Sequence, residues 1–520
     1  MEQASQTSYQ IPGLAVLSAL VVFAALQTLA YVIAGGVFEY PLDDVYIHLA
    51  MAEQIGVGGY GVNAGEYSSA ASSPLYPLLL LPFAGEEAQR FVPFVVNVAG
   101  LILMAWLWGL ILVQAGYDQG RKRFYGVVLA CLGPLALNMA GLAFVGMEHA
   151  LHAAASLAIV YGLLRMIDEG RVDWFLIAGV FFAPLFRLEG LALSLVATGL
   201  IFAAGHYRSA LIALFLAVVP IICFSIFLMT LGLSPLPNSV LTKLGGNSLG
   251  HLDWTTRFFR TIAKNMATAP GRLLAFEVIV AFGLILIPGL LKNPLHRAFA
   301  LAIALAGLAH LCFGQVGWLH RYEPYVLITL MGGLLALVPR ASSMLTVVPV
   351  ALALMISAMF YVPKLLTDLA PNPRAIHAQQ QQMSRFTKDY WQAPVAVNDL
   401  GWVAWRNPNY VLDLWGLASD EARELRLSEN IAPGWAGALT DRHDVELAMV
   451  YESWLENAVG EDWIKLGILH AFVGFATVGG YDITFYATTP DAAERLVPLL
   501  KSFSETLPAP IHFEFEPDVG

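Results

Sequence analysis

Charge is what this sequence has least of. Only 13% of its 520 residues are Asp, Glu, Lys or Arg, while 58% are hydrophobic and mean hydropathy is +0.64. Soluble domains carry about 25% charged residues, so a soluble enzyme is excluded as a description of the whole chain. Cysteine is nearly absent too. Cys131, Cys223 and Cys312 fall singly inside apolar runs, which excludes a disulfide framework or a thiolate metal cluster. Basic residues number 28 against 39 acidic ones, for a net charge of −11, and a nucleic-acid partner is excluded because phosphate binding needs a basic face. Residues 1–10 lack a basic leader and a small-residue cleavage site, so the first apolar run is expected to remain as a span. His-Glu-x-x-His, Walker and Rossmann patterns are missing. A divalent cation is therefore not indicated, a nucleotide donor is unsupported, and the cofactor stays unassigned.

What the sequence has in abundance is long apolar windows, recurring to about residue 362 and marking a polytopic membrane protein in contact with the lipid bilayer. Eleven candidate spans cover 13–36, 91–115, 124–145, 149–165, 173–186, 190–205, 209–231, 272–291, 298–314, 324–339 and 343–362. The pair at 173–186 and 190–205 is short and interrupted by Pro184, Arg187 and Glu189. A helical membrane domain over 1–363 and a soluble domain over 364–520 are expected. From Pro394 the pattern becomes α/β, with strands at 395–398, 410–414, 445–451 and 481–487. Helices over 419–427 and 491–503 separate them, the second with Thr489 as its cap and Pro490 at its first position. Gln379 to Gln382 read as a solvated helix face, and the six tryptophans from Trp402 to Trp463 divide between core and sugar-stacking surfaces.

Lys and Arg cluster at alternate breaks: 121–123, 165 with 171, 206–208, 292–297 and 340. By the positive-inside rule these breaks face the cytoplasm, as does the N-terminus. Residues 38–74, the turn at Glu148, residues 232–271, residues 315–323 and everything after 362 then lie on the outer face of the plasma membrane.

On that outer face, right after the first apolar run, stands Phe38-Glu39-Tyr40-Pro41-Leu42-Asp43-Asp44. The acids suit the first turn of a helix on whose one face Ile47, Met51 and Ile55 recur, an amphipathic helix at the bilayer surface. Helix capping explains one carboxylate; two beside the mobile loop 63–74 can also hold and deprotonate a hydroxyl. Four further groups break apolar sequence on the same side: Glu148 with His149, Arg187 with Glu189, Asn238 with Lys243, and His320-Arg321-Tyr322-Glu323. Each is costly near the membrane unless paired or lining a cavity. Ordinary interfacial charges snorkelling to water are the bland alternative; together the groups supply acids for a base and cations for a phosphate.

Asp43-Asp44-Val45-Tyr46-Ile47, Asn63-Ala64-Gly65-Glu66 and Ser72-Ser73-Pro74-Leu75-Tyr76 resemble the opening blocks of GT-C glycosyltransferases related to mycobacterial terminal arabinofuranosyltransferase. Gly146-Met147-Glu148, Arg187-Leu188-Glu189-Gly190, Pro235 to Asn238 with Lys243, and Arg321-Tyr322 resemble later blocks. Val397 to Gly401 and Val411 to Leu417 resemble the outer domain of that group. Ala64 and His48 depart from the pattern. The resemblance implies a membrane enzyme that moves a sugar from a polyprenyl-phosphate donor to a glycan acceptor, with inversion. Asp43 would be the general base and Asp44 its support; Glu148, Arg187, Glu189, Asn238, Lys243, His320, Arg321 and Tyr322 would bind substrates, with Arg187, Lys243 and Arg321 meeting the phosphate. A transporter or flippase of a lipid-linked saccharide is the main rival, and it would want related halves with paired broken helices; no internal repeat is visible. A non-catalytic outer-surface binding or assembly protein is another, for which the tryptophan-rich domain would suffice.

Overall fold

The computed structural model describes residues 9–245, 254–341, 343–428 and 432–517. Among them, eight helices are long and apolar enough to cross a membrane: Gln10–Ile33, Glu87–Gln114, His149–Glu169, Tyr207–Thr230, Ala269–Leu286, Pro294–Phe313, Pro324–Ala341 and the helical stretch opening at Met344. Two shorter apolar helices, Trp174–Phe186 and Gly190–Ala203, form a pair, divided at Arg187, whose extended backbone ends the first. The run expected as one span over 124–145 is divided into helices Lys122–Ala136 and Met139–Phe144. Asn138 separates them in the left-handed conformation, φ 57°, which asparagine tolerates better than most residues.

The chain forms two compact units. One comprises Met1–Thr28, Phe94–Cys223 and Asp253–Leu366; the other comprises Leu29–Pro93, Phe224–Leu252 and Thr367–Gly520. In the first, small residues let helices approach closely. A Cβ on Gly162 would lie 2.5 Å from Leu176 Cβ, and one on Gly109 would lie 2.4 Å from Pro12 Cα.

The second unit is built around a six-stranded mixed sheet: β1 Val395–Val397, β2 Val411–Asp413, β3 Leu447–Val450, β4 Ile464–His470, β5 Asp482–Ala487 and β6 His512–Phe515. Their order is β2-β1-β3-β5-β4-β6. β1 runs parallel to both β2 and β3, and the remaining pairs are antiparallel. The expected strands map onto β1, β2, β3 and β5; β4 and β6 were not anticipated. The chain passes from β1 to β2 on one side and then to β3 on the other, so the carboxyl end of β1 is a topological switch point. Short fully buried runs such as Val-Ala-Val suit the inner parallel strands. Thr489 caps its helix as expected, accepting from Ala492 N at 3.2 Å, and Ser419, expected inside the other helix, caps it instead, accepting from Ala422 N at 3.2 Å.

Candidate active site

The segment 39–44 belongs to the sheet-containing unit. Asp43 sits at the N-cap of helix Asp44–Gly56 but makes no side-chain cap bond there. Its carboxylate instead accepts Gly401 N at 2.6 Å and Trp402 N at 2.8 Å, the free amides opening the short helix Gly401–Ala404 just past β1. An anion at such an end is favoured by the amide dipoles. Gly401 is required there, because a Cβ would lie 2.1 Å from Asp43 O and 2.8 Å from Asp43 Oδ2. Capping of its own helix is thus not what holds Asp43. The surface-helix expectation also fails: Val45 to Ala52 are all buried, because the helix packs against 401–404 and its neighbours.

Lys388 grips the other end of the same four-residue helix, its Nζ donating to Trp402 O at 3.1 Å and to Trp405 O at 2.5 Å. Trp402 stacks on Tyr46 with centroids 4.2 Å apart and donates Nε1 to Glu39 Oε2 at 3.1 Å. Glu39 also accepts from Tyr40 N at 2.9 Å and from the Tyr46 hydroxyl, and Arg90 lies 3.8 Å away. Burial outweighs these contacts and lifts the Glu39 carboxyl to about 7.

Asp44 is half-buried beside Asp43. Asp399, two residues past the end of β1, completes a group of three carboxylates that repel one another. Burial, and then Asp399, push the Asp43 carboxyl well above the usual range, against the two amide bonds. Asp399 is pushed up to about 6, again chiefly by burial, while Gln380 Nε2 donates to its Oδ2 at 2.8 Å. Gln380 also donates to Tyr451 Oη at 3.0 Å, and Tyr451 donates to Gln379 Oε1 at 2.8 Å. The glutamine run is therefore not a solvated face: Gln379, Gln380 and Gln382 are buried, because the carboxylate and the sheet-end backbone need donors inside the unit. The indoles serve packing here. Trp402, Trp405 and Trp435 are buried, and Trp405 Nε1 bonds Gln89 Oε1 at 2.9 Å.

Asn238 is in the same unit, fully buried, its backbone N bonded to Ser69 O at 3.1 Å. Neither polar atom of its side chain has a hydrogen-bond partner. Lys243 lies on the helix Asn238–Gly245, and its side chain lies outside the described residues.

The remaining expected residues belong to the other unit. Arg187 donates to Glu148 Oε1 at 2.8 Å, to Glu189 Oε1 at 2.8 Å, and approaches His149 Nε2 at 3.0 Å. A guanidinium only donates, so that nitrogen accepts and the imidazole proton sits on Nδ1. Arg187 and Arg321 both lie over the Tyr322 ring, at 5.4 and 5.0 Å. Arg321 donates to Tyr322 Oη at 3.0 Å and Met147 Sδ at 2.9 Å. The segment entering Arg321 is strained: Gly317, Trp318, Leu319 and His320 have φ of 96°, 45°, 57° and 54°. Left-handed backbone costs about 1–2 kcal/mol per non-glycine residue. The turn is held by Asn138 Nδ2 on His320 O at 3.1 Å and by Gly317 N on Glu323 Oε2 at 2.8 Å. Glu323 in turn accepts Tyr361 Oη at 2.7 Å. Among the described residues no group of three His, Cys, Asp or Glu is arranged to hold a metal ion.

A family model described as a domain of unknown function (DUF8728) matches residues 374–486. No curated protein matches the chain. Two solved structures are similar over 91% of it, each at 12% identity. One is the Archaeoglobus fulgidus oligosaccharyltransferase in its apo form, with 75% of that chain covered at a TM-score of 0.48. The other is ArnT from Cupriavidus metallidurans bound to undecaprenyl phosphate, with 98% of that chain covered at 0.44. Likenesses this distant assign neither activity nor substrate to the chain.

Proposed function

We propose that the chain is a membrane glycosyltransferase that transfers a sugar from a polyprenyl-phosphate donor to a hydroxyl of an envelope glycan. The observation that carries this reading is the acid group at the switch point of the sheet: a half-buried Asp44 next to an Asp43 fixed by the amides of Gly401 and Trp402. The motif resemblance across residues 43–76 and 397–401 agrees with it. The two acids exchange the roles expected from the resemblance. Both oxygens of Asp43 are already engaged by buried amides, and at 6% exposure it offers an acceptor hydroxyl little access. Asp44 is the better-placed base; Asp43 positions it.

In the reaction Asp44 takes the proton of the acceptor hydroxyl as the acceptor oxygen bonds the anomeric carbon from the face opposite the phosphate. The bond from that carbon to the phosphate oxygen breaks, its electron pair leaves with polyprenyl phosphate, and the configuration inverts. Arg321 neutralises the departing phosphate. Arg187, already bracketed by Glu148 and Glu189, holds those acids and the Tyr322 ring in place. Asn238, with a buried amide lacking partners, is assigned to a sugar hydroxyl, and His320 to the turn that presents Arg321. The acid group and the domain over 364–520 face outward from the plasma membrane.

The experiment offers purified protein in vesicles a panel of polyprenyl-phosphate sugars with an alcohol acceptor, and reads product linkage by NMR. An inverted glycoside supports the reading; a retained configuration, or inert donors across a panel of pentoses and hexoses, overturns it. A tag after residue 520 is expected to be cut by protease added to intact spheroplasts, and protection overturns the orientation.

A further inference from the structure

The connection from β4 to β5 reads Ala471-Phe-Val-Gly-Phe-Ala-Thr-Val-Gly-Gly-Tyr481, eleven residues without a charge. Phe475 is 84% exposed and Phe472 49%, their rings meeting edge to face at 5.6 Å. Water-facing phenylalanines on an uncharged loop are an aggregation hazard unless something apolar covers them. This loop is built to hold them outward. Asn372 Oδ1 accepts Thr477 N at 2.8 Å, and its Nδ2 donates to Thr477 O at 2.9 Å and to Pro41 O at 3.2 Å. Tyr481 Oη accepts Ala476 N and donates to Ala476 O, both at 3.0 Å. The backbone just after Phe475 is thus fastened twice.

The fastening identifies the occupant. Pro41 lies eight residues past Ile33, where the first apolar helix ends, and the last turn of that helix is in the same compact unit. The intervening segment carries Phe38, whose ring meets Phe91 at 5.3 Å, and Phe91 is itself 48% exposed. That unit also contains the end of the apolar helix Tyr207–Thr230, where Phe227 packs on Tyr60 at 5.1 Å. Exposed aromatic rings tied to the ends of membrane spans form an interfacial belt. We propose that Phe472 and Phe475 insert into the bilayer at the headgroup and acyl-chain boundary, and that the loop is a lipid anchor of the sheet domain. Through Asn372 and Pro41 it sets the depth of the segment that leads to Asp43. The anchor does not depend on the transfer reaction, so failure of one leaves the other standing.

The test replaces Cys131, Cys223 and Cys312 by Ala and introduces Phe475→Cys, Phe472→Cys or, as a water-facing control, Lys501→Cys. Each is labelled with an environment-sensitive fluorophore in phosphatidylcholine–phosphatidylglycerol vesicles. Labels at 472 and 475 are expected to be quenched at least about threefold more by nitroxide-bearing lipid than the label at 501, and to be shielded from aqueous iodide. Iodide quenching equal to that at 501 overturns the anchor. So does shielding from both quenchers, which would place a protein surface over the loop. Both phenylalanines are exposed, so each variant reports independently of core packing.

Discussion

Replacing Asp43 separates its two conceivable jobs. Its carboxylate accepts two buried amides at 2.6 and 2.8 Å, and hydrogen bonds to a charged group contribute about 1.5–3 kcal/mol each. Asp43→Ala orphans both amides, a gross loss of about 3–6 kcal/mol. Part returns because the replacement relieves the burial of the acid and its repulsion with Asp399; a net destabilisation of about 2–4 kcal/mol remains. Asp43→Asn keeps one acceptor oxygen and turns an NH2 group toward the second amide, so about half of that loss is expected. Asp44→Asn breaks neither of these two bonds and is expected to abolish transfer. The assay is thermal unfolding in detergent followed by near-ultraviolet circular dichroism, which reports the Trp402–Tyr46 stack, alongside donor turnover. Equal unfolding temperatures for wild type and Asp43→Ala would refute the clasp. A stable but inactive Asp43→Asn beside an active Asp44→Asn would return the base role to Asp43.

Gly401→Ala brings a methyl within 2.1 Å of the backbone oxygen of Asp43, a clash that Asp43→Ala leaves in place; it should destabilise the protein on its own and lower stability further in the double variant, and unfolding curves unchanged by Gly401→Ala would contradict the close approach. Glu39, lifted from 4.5 to about 7, binds more protons folded than unfolded. Its contribution is full below pH 4.5 and is lost as pH rises through 7, about 3 kcal/mol in all. Glu39→Gln should flatten that slope, and an unaltered pH dependence of unfolding would exclude Glu39 as its source. Arg187→Met removes the guanidinium from the fully buried Glu148, costing about 3–5 kcal/mol; pairing it with Glu148→Gln should recover part of the loss, and no recovery in the unfolding temperature would count against the ion pair.

Apolar runs and the Thr489 cap were legible because they are local: the long spans follow from composition and Thr489 from a single hydroxyl acceptor ahead of Pro490. The partner of Asp43 was not. Its amides come from residues 358 and 359 positions away, and nothing near Asp43 in sequence distinguishes them from the amides of its own helix. The burial of Gln380 likewise follows from Asp399, nineteen positions on, whereas composition alone suggested a wet helix face. Asn138 concealed a helix break, since one left-handed residue leaves hydropathy unaltered. β4 and β6 escaped because Gly467 and a register irregularity interrupt the alternation of β4 and β6 is only the four residues His-Phe-Glu-Phe, too short for a period to stand out.

The most direct measurement is release of polyprenyl phosphate from a radiolabelled sugar–phospholipid by purified wild type and Asp44→Asn, at matched unfolding temperatures. Release by the wild type, with a loss of at least about a hundredfold in the variant, is the expected result. Equal release by both proteins would contradict the assignment of proton removal to the acid group at the end of β1.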